Sequence, residues 1–206
     1  MTILSLLLRG GILMYVLGLI SIAAIAIIIE KYMQFHKAKK ANALLMDRIT
    51  DCKDKSEAQE MLNDIDQNAP LSSLLSQLLS IESHDLDLIN QSMESAATVE
   101  LSKLERGVTW LSTFSAVGPL IGFLGTVIGM VRVFMSIESQ SGGGVDISLL
   151  AGGIWEAMLT TVGGLVVGII TIIFYNDLVQ KLEVLVNEMS DAGNQMIARF
   201  KGKDEA

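Results

Sequence analysis

Glu156 is the one charged side chain in an apolar stretch that runs from residue 147 to residue 175. A charge at mid-membrane costs about 2.5–3.5 kcal/mol on insertion scales, so a chain keeps it where it faces a bundle interior or a wet cavity. At about 100° per residue, Gly153, Thr160, Gly163, Gly164, Val167 and Thr171 share a helical stripe with it, while Leu165, Ile169, Ile172 and Ile173 cover much of the remainder. A carboxyl, two threonines and several glycines on one face describe the wall of a narrow hydrated path along which protons can move. The plainer alternative is a protonated Glu156, hydrogen-bonded inside a helix–helix contact. An ionisable residue within a span is read first as functional, which favours the path.

A second stripe precedes it. Gly118, Gly122, Gly125 and Gly129 recur at intervals of four, three and four, and such small-residue rows let helix backbones approach closely in lipid. Thr126 lies beside this row, where its hydroxyl can either hydrate a path or bond to its own i−4 carbonyl. Pro119 removes one backbone hydrogen bond within the same segment and predicts a kink. Arg132, near the end of the segment, reads as an anchor that snorkels outwards. Cys52, His36 and His84 stand apart in polar surroundings, without the spacing of a metal site or of a nucleophile and its base. No cofactor or metal is expected. An intramembrane enzyme would need a second catalytic group in the spans, and the sequence offers none.

Three long apolar stretches must carry these residues. Half of the 206 residues are hydrophobic and only 18% are charged, against about 25% charged in a typical soluble domain. Few aromatics and only two prolines argue for long, closely packed helices and against a β-rich fold. The net charge of −8 argues against nucleic acid, which attracts basic surfaces. Residues 11–29 carry no charge and at 1.5 Å per residue extend roughly 28 Å, about one hydrocarbon core. The charged residues Glu30 and Lys31 follow directly, so the stretch reads as a retained span and not as a cleaved leader. Residues 108–135 and 147–175 are the second and third spans, separated by a short loop at 136–146 in which Asp146 is placed to cap the third helix.

Basic residues orient the spans. Lys31, Lys37, Lys39, Lys40, Arg48, Lys103 and Arg106 lie between spans one and two, and Lys181, Arg199, Lys201 and Lys203 follow span three, while the 136–146 loop has none. Residues 1–10 and the loop are therefore expected outside, with 30–107 and the 176–206 tail in the cytoplasm. Lys31 to Met46 reads as a continuation of the first helix. Turn residues from Asp64 to Pro70 mark a break, and a helix restarts over 71–81 with Pro70 in its first turn. Ile89, Met93, Ala96/Ala97, Val99/Glu100 and Leu104 then run at helical spacing towards span two. In the tail, Leu178, Leu182, Leu185, Met189, Ala192 and Met196 alternate by four and three. That is the spacing of a seam packed against other cytoplasmic helices; the alternative is a helix lying on the membrane, which Glu183, Glu188 and Asp191 suit poorly.

The second and third spans also carry a resemblance. The run GPLIGFLGTVIGM at 118–130 resembles the second-span signature of the MotA/TolQ/ExbB family, and AGGIWEAMLTTVGGL at 151–165 is similar to its third-span signature. Paired Gly10 and Gly11 before the first span, with Glu30-Lys31 after it, also resemble the family; residues 41–95 offer no specific match. The resemblance implies an all-α membrane protein whose three spans and long cytoplasmic helical extensions pack around a central pore in a homopentamer. It implies a proton-channel subunit of an inner-membrane motor around a dimer of single-span partners of ExbD, TolR or MotB type, whose membrane aspartate carries the proton. A TonB- or TolA-like protein would be a further partner.

By motif position Thr126, Glu156 and Thr161 match the family's pore-facing polar residues; Thr160 joins them from the helical stripe alone. Gly118, Pro119, Gly122, Gly125, Gly129, Gly163 and Gly164 are expected to pack helices. Three spans and the Glu156 carboxyl resemble the ExbB/TolQ branch more than the four-span MotA branch. Gly152 departs from the proline usual there, and glycine also permits local bending. The function implied is to couple proton flow to movement of the partner and so energise TonB-dependent transport. Tol–Pal-type envelope maintenance, gliding, and a purely structural membrane scaffold are the alternatives.

Overall fold

With two prolines and no β-rich segment, the chain folds as helices limited by the few places that carry turn chemistry. The computed structural model describes residues 11–52, 57–58, 62, 69–81, 86–139 and 147–204. Five long helices run through them: α1 (Gly11–Asp51), α2 (Pro70–Ser80), α3 (Leu86–Glu105), α4 (Val108–Ser139) and α5 (Ile147–Asp204). No strand occurs among the described residues. The first apolar stretch does continue into its polar extension as one helix, and so does the third. Pro70 opens α2 at its first helical position, where its missing N–H has no intrahelical partner to lose. Gly107, at φ 98°, makes the left-handed turn that ends α3 and lets α4 begin, a conformation glycine adopts without steric cost. The expected Asp146 cap, the turn residues Asp64 to Asn68, His84, and residues 1–10 and 140–146 lie outside the described residues; 136–139, expected to begin the loop, instead continue α4.

Among the described residues, three helices are long and apolar enough to cross a membrane. Residues 11–29, 108–139 and 147–177 form one compact unit. Its α1 segment buries Met14, Leu17, Ala24 and Ile28, while Ile12, Leu19, Ile22 and Ile29 are exposed. An apolar helix with an apolar exposed surface suits lipid or another chain, not water. Helix α4 turns Gly118, Gly122 and Gly125 inwards with Leu111 and Val133. Large apolar side chains, among them Leu120, Phe123 and Phe134, point out.

The second unit contains residues 30–107 and the part of α5 beyond residue 177. Lys31, Phe35, Ala38, Asn42 and Leu45 are buried along α1, at intervals of four and three that mark a packed seam. All six tail positions from Leu178 to Met196 are buried as well. At Gly193 an added Cβ would meet the Met93 methyl and Leu74, so α5 packs on α3 and α2 there. Helix α3 buries Met93, Ala96, Glu100 and Leu104, which resolves the 99/100 ambiguity towards Glu100. That carboxylate is held by Lys103 at 2.6 Å. The Lys31 ammonium donates to the Leu104 carbonyl at 3.1 Å and to Gln34 at 2.8 Å. It thereby satisfies one of the carbonyls left unpaired in the last turn of α3. Burial pushes Lys31 below the ordinary lysine pKa; neighbouring Glu30 opposes that and Arg106 adds to it.

Candidate functional site

The small residues of α4 and α5 close on each other within one chain. Taking successive contacts, Gly118 faces Gly164 and Gly168, Gly122 faces Thr160, Thr161 and Gly164, Gly125 faces Thr160, Gly129 faces Ala157, and Val133 faces Gly153. Positions rising along α4 meet positions falling along α5, so the two helices run antiparallel with their backbones nearly touching. At Gly164 an added Cβ would lie 2.9 Å from the Gly122 Cα and 3.0 Å from its nitrogen, where no side chain can move aside. Gly163 points elsewhere, to Met14 and Leu17 of α1. The stripe read around Glu156 is thus divided between two neighbouring helices.

Gly168 was missing from the expected packing set. It receives Pro119, whose ring carbons would lie 2.7 and 2.8 Å from an added Cβ, and the Ser115 carbonyl at 3.0 Å. That carbonyl is the one Pro119 cannot pair. The four-residue interval from Gly164 to Gly168 was the available sequence signal.

Glu156 stands one helical turn from Thr160 on α5 and beside α1, since any side chain at Gly11 would run into its carboxyl. Gly11 also has φ 68°, so glycine is required there on two counts. Across from it, Arg132 Nη1 lies 3.8 Å from Glu156 Oε1, with the two side chains 62% and 40% exposed. Arg132, read as an anchor, also reaches the carboxylate with its guanidinium, which spacing along two separate helices could not reveal. Two cavities meet at this pair. One, of about 70 Å³, is lined by Glu156, Arg132, Gly129, Gly11 and Thr160 among others. The other, a more open cleft of about 340 Å³, is lined by Glu156, Arg132, Gly129, Gly152, Gly153, Val133 and Ser136.

The three threonines differ in their surroundings. Thr160 is 2% exposed, donates to the Ala157 carbonyl at 2.7 Å and lines the smaller cavity with Glu156. The Thr161 hydroxyl crosses to α4 and donates to the Gly122 carbonyl at 2.9 Å. Thr126 is half-buried and donates to the Phe123 carbonyl of its own turn at 2.6 Å, a local bond to i−3 in place of the i−4 carbonyl expected above. Thr126 and Thr161 line neither cavity. The structure therefore brings Glu156, Arg132 and Thr160 together and sets the other two apart from them. A carboxylate, a guanidinium and a hydroxyl around water-sized space can hold and pass protons through hydrogen bonds.

The chain is also similar to known proteins. A family model described as the MotA/TolQ/ExbB proton channel family matches residues 59–191. It reaches into the 41–95 region, where motif reading found no counterpart. A candidate biopolymer transport protein of Synechocystis sp., ExbB-like 3, is 32% identical over 202 residues, covering 95% of each chain. A candidate ExbB homolog of Methanothermobacter thermautotrophicus is 29% identical over 201 residues, 93% of this chain and 70% of that one. The biopolymer transport protein ExbB of Neisseria meningitidis is 26% identical over 204 residues, 91% and 90% of the two chains.

Proposed function

Because the chain belongs to the MotA/TolQ/ExbB proton channel family, on its ExbB branch, we propose that it is the proton-channel subunit of an inner-membrane motor that energises TonB-dependent transport. The observation that carries this reading is the Glu156 carboxyl among apolar helices, with Arg132 and Thr160 beside it and water-sized space around all three. Protons pass from outside to the cytoplasm along the aspartate of a single-span, ExbD-type partner dimer, between walls that include Thr126, Glu156, Thr160 and Thr161. Each charge that crosses releases about 2.3 kcal/mol per 100 mV of membrane potential. Protonation changes the cost of the partner's aspartate in an apolar pore, so the partner moves relative to the ring around it. The exposed apolar face of α4 supports assembly with further copies, and we assign a homopentamer.

Co-expression with a single-span protein of ExbD type tests the assembly. The expected native mass in gentle detergent corresponds to five copies of this chain with two of the partner. A mass that fits only a monomer or dimer refutes the pentamer.

The basic residues flanking the spans support an orientation with residues 30–107 and the tail inside. Gly143→Cys is expected to react with an impermeant thiol reagent added outside, whereas buried Cys52 stays unlabelled. Labelling of Gly143→Cys only in inverted vesicles would reverse the assigned direction of proton flow.

A further inference from the structure

Polar groups continue outwards from Glu156 inside the single chain. Arg132 and Ser136 are one helical turn apart on α4, and Glu156 and Thr160 are one turn apart on α5. Because the helices are antiparallel, Ser136 marks the end nearer residues 140–146 and Thr160 the end away from them. The open cleft is lined by Ser136, Arg132 and Glu156, and the smaller cavity by Arg132, Glu156 and Thr160. Water needs only about 10–15 Å³ of accessible volume and two to four polar partners to occupy a cavity, and both cavities exceed that. Gly129, Arg132 and Glu156 line both, so the two spaces share a wall, and at Gly129 that wall carries no side chain.

We infer that these cavities form a hydrated vestibule within each subunit, open towards residues 140–146, through which water-borne protons reach Glu156, with Arg132 as a positioning residue that holds the carboxyl at its wall. The inference rests on the proton-path reading and adds a separate access route inside each chain, lateral to any axis shared between copies. Arginine suits the position because it stays charged throughout the physiological range and keeps its donors in a fixed fork. Its greater exposure relative to Glu156 sets the cation nearer the opening. An anion approaching from that end is therefore favoured over a cation.

Thiol labelling reads this directly. In a Cys52→Ser background, Ser136→Cys is treated in right-side-out and inverted vesicles with two impermeant methanethiosulfonates, one carrying a sulfonate and one a trimethylammonium. Reaction is expected from the side bearing residues 140–146, faster with the sulfonate. The sulfonate-to-trimethylammonium rate ratio should fall about fivefold or more on adding Arg132→Gln and return with Arg132→Lys. Gly152→Cys, where an added Cβ meets nothing within 4 Å, repeats the measurement should Ser136→Cys fail to assemble. No reaction from that side, or a rate ratio unmoved by Arg132→Gln, overturns the vestibule. Proton-driven work by Glu156→Ala is scored separately. Lost work with an inert cysteine sinks the vestibule and leaves the proton path standing. Wild-type work with charge-selective labelling leaves a hydrated cleft beside Arg132 and sinks the path, and with it the cleft's role in proton access.

Discussion

Gly164→Leu is expected to abolish the folded subunit and not merely its assembly. The atoms that a side chain would meet at this position are the Gly118 carbonyl and the backbone of Gly122, neither of which can rotate away. Ordinary overpacking in a core costs about 1–3 kcal/mol because neighbouring side chains adjust; here only separation of α4 from α5 relieves the overlap. Membrane-extracted, folded protein should fall about tenfold or more, equivalent to at least about 1.4 kcal/mol. Gly152→Leu, with open space around it, should leave the yield within about twofold of wild type. Size-exclusion yield and protease resistance of the two variants check the contrast. Equal yields would show that the close α4–α5 approach is not what holds the unit together.

Glu156→Ala is expected to reduce proton-driven work to the level of cells without the protein, while complex yield stays within about twofold of wild type. The carboxyl is part-exposed, with only a long 3.8 Å ion pair to Arg132. Removing it sacrifices little stability, as exposed pairs contribute about 0–1 kcal/mol. Thr161→Val should lose work too, but that variant also deletes the hydrogen bond to Gly122, and interhelical bonds in membranes average about 0.6 kcal/mol. Thr161→Ser keeps a donor and is expected to keep both assembly and work. Leu165→Ala, on an exposed face, should have a mild effect. Activity that simply follows the amount of assembled complex across this set would favour a scaffold. A Glu156→Ala complex that assembles and works normally would end the proton-path reading.

Periodicity carried most of the helical organisation. The four-and-three spacing from Leu178 to Met196 predicted a seam, and every one of those residues is buried. Pro70 could be placed at a helix boundary from its backbone chemistry, whereas the break at Gly107 interrupts what reads as helical spacing running on into the second span. The residue-level site was harder to read, because a helical wheel gives an angle but does not say which helix occupies it. Gly163 and Gly164 are adjacent, about 100° apart, and they serve α1 and α4 respectively. Thr160 and Thr161 divide in the same way, one bonding within its own turn and the other across to Gly122. Arg132 looked like an anchor because its partner lies 24 positions further along the chain.

The backbone-close seam between α4 and α5 also constrains how this gene can drift. Gly118, Gly122 and Gly125 face inwards, while Leu120, Phe123 and Phe134 on the same helix face out. Inherited variation should therefore arrive in a comb, with forbidden positions every third or fourth codon and freely exchanging apolar ones between them. Lineages living in thinner or thicker bilayers can retune the outward side chains independently, leaving the glycine register of the ancestral chain intact.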